Sequence, residues 1–115
     1  MTWTARKNTP DPPITPTRAL DTTFQPSATR YTLLMYTIQL VGAAAQSGTV
    51  ELRVDTASPP TTARASAMLA VTGAGDSDTT RSMVIGVAAP GDNVRLVFAG
   101  TGTPTIAHQT EIAIA

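Results

Sequence analysis

From residue 31 to its end, this chain repeats with a period of two, and glycine or proline interrupts the repeat every roughly 8–15 residues. Such a period fits a pleated strand, whose side chains alternate between faces, and does not fit the 3.6-residue period of a helix. Thr32, Leu34, Tyr36, Ile38 and Leu40 share one face of the first segment, and Leu33, Met35, Thr37, Gln39 and Val41 share the other. This strand therefore reads as covered on much of both sides. Residues 42–48 read as a connection. Val50, Leu52 and Val54 then point inward, with Thr49, Glu51, Arg53 and Asp55 outward.

Ser58-Pro59-Pro60-Thr61 ends that segment. Ala63, Ala65, Ala67, Leu69 and Val71 alternate with Thr62, Arg64, Ser66, Met68 and Thr72. Alanine favours helix, so a helix over 62–71 competes here. The following Gly73-Ala74-Gly75-Asp76 turn and the spacing of the neighbouring segments favour a strand. Arg81, Met83, Ile85 and Val87 alternate with Thr80, Ser82, Val84 and Gly86. The Ala89-Pro90-Gly91-Asp92-Asn93 turn follows, and then Val94, Leu96 and Phe98 on one face. After Gly100-Thr101-Gly102-Thr103-Pro104, a last strand places Ile106, His108, Thr110, Ile112 and Ile114 together. About six strands without a strong helix predict an all-β fold, an antiparallel β-sandwich or jelly-roll-like domain over 31–115.

Residues 1–30 differ. Pro10, Pro12, Pro13, Pro16 and Pro26 stand among threonines with few apolar anchors, namely Trp3, Ile14, Leu20 and Phe24. Proline fixes φ and removes a donor, so this stretch reads as an extended Pro/Thr-rich N-terminal arm. It is either a flexible tail or an arm ordered against a neighbouring subunit. In the second case the four anchors are the assembly residues.

Aromatics are 4% of the chain, so the core is built of aliphatic side chains, a thin core that oligomerisation often supplements. The chain holds no cysteine, which removes disulfides, zinc–thiolate sites and thiol nucleophiles. Eight basic residues, of which only Lys7 is lysine, balance eight acidic ones. A nucleic-acid partner is not expected from a chain with neither basic excess nor stripe. No apolar run approaches the ~20 residues of a membrane span. The N-terminus shows no apolar signal segment, so synthesis in the cytoplasm is expected.

The candidates for chemistry are few. His108, the sole histidine, falls on the Ile106 face and reads as a buried or half-buried structural residue. No serine sits in a G-x-S-x-G turn. Asp76 and Asp78 could offer oxygens to Ca²⁺, yet two carboxylates without a distal glutamate read better as a polar hairpin loop. Glu51, Arg53 and Asp55 read as a surface ion-pair ladder rather than a glycosidase carboxylate pair. No catalytic residue, metal ligand or cofactor site is expected, and the chain reads as non-enzymatic.

Thr17-Arg18-Ala19-Leu20-Asp21-Thr22-Thr23-Phe24-Gln25-Pro26-Ser27-Ala28-Thr29-Arg30 resembles the opening of a domain of tailed-bacteriophage tail and tail-fibre-associated proteins. In those proteins the segment also precedes a long apolar strand. Gly48-Thr49-Val50-Glu51-Leu52, Ser58-Pro59-Pro60-Thr61-Thr62, Pro90-Gly91 before Val94-Arg95-Leu96, and Gly102-Thr103-Pro104-Thr105 continue the likeness over about residues 17–115. The resemblance implies a virion structural protein on a tail or tail fibre. It implies as partners further copies of itself, a homotrimer above all, other virion proteins, and a host-surface receptor as a further candidate. A capsid decoration protein clamping neighbouring capsomers is the alternative, and a glycan-binding β-sandwich module is a second.

Overall fold

The computed structural model describes residues 12–42, 44–73 and 78–114. Among them the chain forms six strands and no helix: β1 (Thr32–Gly42), β2 (Gln46–Asp55), β3 (Ala63–Val71), β4 (Asp78–Ala88), β5 (Asn93–Gly100) and β6 (Thr105–Ala113). They build two three-stranded antiparallel sheets, ordered β4-β1-β6 and β3-β2-β5. The sheets pack face to face as a β-sandwich, the fold class expected from the two-residue period.

The alanine-rich segment is strand β3. Its inner positions run from Ala65 and Ala67 to the buried Leu69 and Val71, so alternation prevails over alanine's helix preference once both sheets need a neighbour. β2 begins at Gln46, earlier than the sequence suggested. Gln46, Ser47 and Gly48 pair with Val71, Ala70 and Leu69 and belong to the ladder, not to the connection.

The core comes from alternate residues of the facing strands. Leu34, Tyr36, Ile38 and Leu40 of β1 meet Val50, Leu52 and Val54 of β2, and Leu69, Val71, Val84, Ala88, Val94 and Leu96 complete it. Each fully buried aliphatic side chain contributes roughly 1.5–3 kcal/mol by leaving water. β4 shows why the two layers fit. A Cβ on Gly86 would stand 2.7 Å from Leu52 Cδ2, so the missing side chain is the notch that receives Leu52 from the opposite sheet. With Ser82 and Gly86 turned inward, the larger Met83, Ile85 and Val87 of β4 face out.

β6 departs from its expected face. Thr37 pairs with His108 but Ile38 pairs with Ile106, which leaves Ala107 unpaired as a bulge. One extra residue moves every later side chain to the other face. Glu111 therefore points into the sandwich and is buried, whereas His108 is exposed. The expectation of a buried or half-buried histidine is corrected by this bulge.

Candidate functional site

Residues 12–31 form a strap across the open side of the sandwich. Ile14 and Glu111 exchange backbone hydrogen bonds of 2.9 and 3.0 Å, which extends the β6 edge of the first sheet. The Arg18 amide then donates to Gln109 Oε1 at 2.6 Å. Asp21 turns the chain with a left-handed φ of 55°, a conformation aspartate tolerates. Its amide donates to the Leu96 carbonyl at 2.7 Å. Phe24 and Val94 exchange bonds of 2.9 and 2.7 Å, so the strap has crossed to the β5 edge of the second sheet. Gly91 N–H to the Ser27 carbonyl and Ile114 N–H to the Tyr31 carbonyl lead it back to β1.

A buried polar cluster locks the strap. Arg18 clasps Glu111 with both arms of its fork, Nε to Oε2 at 3.0 Å and Nη2 to Oε1 at 2.9 Å. Tyr36, from the middle of β1, donates its hydroxyl to Glu111 Oε2 at 2.7 Å. The Arg18 guanidinium also lies 4.2 Å over the Phe24 ring, and that ring meets Tyr36 edge to face at 6.2 Å. Burial, reinforced by the hydrogen bond to Glu111, pushes the Tyr36 hydroxyl far above its ordinary value. Its own hydrogen bonds to Glu111 raise Arg18 as well. Three donors thus fall on one carboxylate that is only 2% exposed, and the cluster neutralises itself. A cleft of about 250 Å³ opens beside it, lined in part by Pro12, Ile14, Arg30, Thr32 and Glu111.

The four arm anchors fall in different places. Leu20 and Phe24 pack against the chain's own core. Ile14 pairs through its backbone but leaves its side chain 56% exposed. Trp3 lies outside the described residues, as does Asp76. The Asp78 carboxylate accepts from the Thr72 amide and hydroxyl, both at 3.0 Å, and from the Thr79 amide. These bonds tie the end of β3 to the start of β4, and because those strands lie in different sheets the connection is a crossover and not the hairpin loop expected from the sequence. Among the described residues no group of three His, Cys, Asp or Glu side chains gathers to hold a metal. Arg53 and Glu51 pair at 2.9 Å as read from the sequence, while Asp55 turns to the 56–62 loop and binds the amides of Ala57, Thr61 and Thr62.

Two features escaped the sequence reading. Arg18 and Glu111 are 93 residues apart, and no local pattern links them. The outward side of the β4-β1-β6 sheet is the other. Met83, Ile85 and Val87 are 56%, 51% and 47% exposed. Val87 stands opposite Leu33, and Ile85 opposite Met35; Leu33 has Ile112 on its other flank. The alternation of β4 was legible, but not that its more apolar side faces out.

No protein-family model matches the chain, and a search of the curated proteins gives no match.

Proposed function

We propose that this chain is a non-enzymatic structural component of a tailed-bacteriophage particle, a tail or tail-fibre-associated protein that acts through assembly with further copies of itself, a trimer above all, and with other virion proteins. The observation that carries the reading is the strap. The segment that resembles phage tail proteins, residues 17–30, runs from Arg18 beside β6 to Phe24 paired with β5. The strap thus occupies these two edges, and the outer faces of the two sheets stay open to neighbours.

Immunogold labelling of intact particles with antibody to this protein tests the reading. Label on tails supports it, and label on heads moves the role to capsid decoration. Particles that carry neither label nor this chain by mass spectrometry overturn the virion role. Deleting residues 1–16 keeps Arg18, Leu20 and Phe24 in place. That truncation is expected to stay folded by circular dichroism and to enter particles less efficiently than the full chain.

A further inference from the structure

We propose that the outer face of the β4-β1-β6 sheet is where a second copy of this chain docks. The inference rests on reading the chain as a protein that works through contacts, and it names the surface of self-contact.

Single exposed apolar residues are ordinary, whereas a contiguous row is not. Here Met83, Ile85 and Val87 of β4 lie beside Leu33 and Met35 of β1, with Ile112 of β6 on the far flank. The outer side of the other sheet is the control within the same molecule. It carries Glu51, Arg53 and Arg95, and its exposed apolar residue Met68 stands opposite Thr49 and outside any apolar row.

Charge narrows the partner. Among the described residues the apolar sheet's outer side holds Arg81 as its one formal charge, together with His108, and no carboxylate. Arg81 donates from Nε to Gln39 Oε1 at 2.7 Å, toward the opposite end of the ladder from Leu33, Val87 and Ile112. Such a face offers little to steer a strongly acidic or basic partner. A second copy brings the same neutral apolar surface, and overlaying the apolar ends keeps the two Arg81 side chains apart.

The strap takes up part of the β6 edge, and at the β4 edge Ser82 Oγ donates to the Met68 carbonyl of β3 at 2.8 Å. The apolar side chains stand on the face of the sheet and not along an edge, so the contact proposed is face to face. Three strands ~4.8 Å apart and roughly 30 Å long present a face on the order of 430 Å² per copy. Even full overlap of two such faces buries on the order of 900 Å² in total, the size of a weak, concentration-dependent contact.

The test is the mass of the full-length protein by sedimentation equilibrium over micromolar to millimolar concentration. The wild-type chain is expected to form a dimer or a closed higher oligomer. Ile85→Lys and Met83→Lys are expected to weaken association at least tenfold while leaving the circular dichroism spectrum unchanged, since both side chains are exposed. Met68→Lys, on the other sheet at 76% exposure, is expected to leave the mass unchanged. A second readout needs no disruptive charge. The chain has no cysteine, so Ile85→Cys supplies its sole thiol, and maleimide labelling should slow with rising protein concentration more than for Met68→Cys. A wild-type chain that stays monomeric throughout overturns the proposal, as does an Ile85→Lys chain that associates as tightly as wild type. Either result leaves the particle role to be judged by immunogold labelling alone.

Discussion

The Tyr36 hydroxyl and the Glu111 carboxylate meet at 2.7 Å inside the sandwich, joining the central strand of one sheet to the edge strand that the strap covers. Glu111 is also the carboxylate that Arg18 clasps from the strap. One buried acid thus links β1, β6 and the N-terminal segment, and its loss should be felt by all three.

Glu111→Ala is expected to destabilise the protein by about 3 kcal/mol, because it strands a partly buried guanidinium and a buried hydroxyl at once. Tyr36→Phe keeps the ion pair and removes one hydrogen bond to a charged acceptor, which should cost about 2 kcal/mol. Urea unfolding measures both. A cycle combining Arg18→Ala with Tyr36→Phe should show effects that do not add, since both donors act on Glu111.

Alkaline pH should weaken the fold through the same hydroxyl. Burial and the contact with Glu111 hold the folded-state pKa of Tyr36 far above the 10.0 of a free tyrosine. The neutral hydroxyl's contribution is fully present below the unfolded pKa and is lost as pH rises from there toward the folded value. Stability is expected to fall above about pH 10, and the fall should be shallower in Tyr36→Phe, read as denaturation midpoint against pH.

The strands were legible because period two and Gly/Pro punctuation are local signals, and β1, β3 and β5 lie close to where those signals put them. The outward turn of His108 was not. It follows from a single unpaired residue, Ala107, and nothing in Ile106-Ala107-His108 announces a bulge. Which side of β4 faces in was likewise hidden, because the notch at Gly86 has meaning only once Leu52 of the other sheet fills it. The Arg18–Glu111 lock depends on the bulge. The bulge turns Glu111 inward, and the strap then brings Arg18 to it.

Acid should weaken the fold from the 55–62 loop. The Thr61 amide first, with the amides of Ala57 and Thr62, holds the Asp55 carboxyl well below its ordinary 3.8. A depressed folded-state pKa gives a contribution that is complete above the unfolded value and is lost as pH falls toward the folded one. Asp78 is lowered in the same direction, chiefly by the Thr72 amide. Asp55→Asn is expected to flatten the decline in stability below pH 3.8, and Asp55→Asn with Asp78→Asn to flatten it further. Thermal unfolding followed from neutral pH downward checks both.

Gly48 should not accept a side chain. A Cβ there would stand 2.5 Å from the Phe98 ring and 2.6 Å from the Ala99 carbonyl oxygen. The ring could swing aside, but the carbonyl belongs to the paired β5 backbone. Gly48→Ala is expected to cost about 1–3 kcal/mol by overpacking. If Phe98 is the main obstacle, Phe98→Leu combined with Gly48→Ala should recover part of the loss, as read by the urea midpoint.

Phe24 tests whether the strap belongs to the fold or merely rests on it. Its ring packs against the core, meets Tyr36 edge to face and carries the Arg18 guanidinium above it, while its backbone pairs with Val94. Phe24→Ala removes all the ring contacts and keeps the backbone pairing. For a half-buried aromatic the cost should be about 2 kcal/mol, below the 3–5 kcal/mol of a fully buried one. The loss should fall unevenly. Amide exchange is expected to quicken first at Asp21, Phe24 and Val94, where the strap meets β5, while the amides of β1 and β2 stay protected until global unfolding. Equal loss of protection across all six strands would instead show the strap to be part of one cooperative unit with the sandwich.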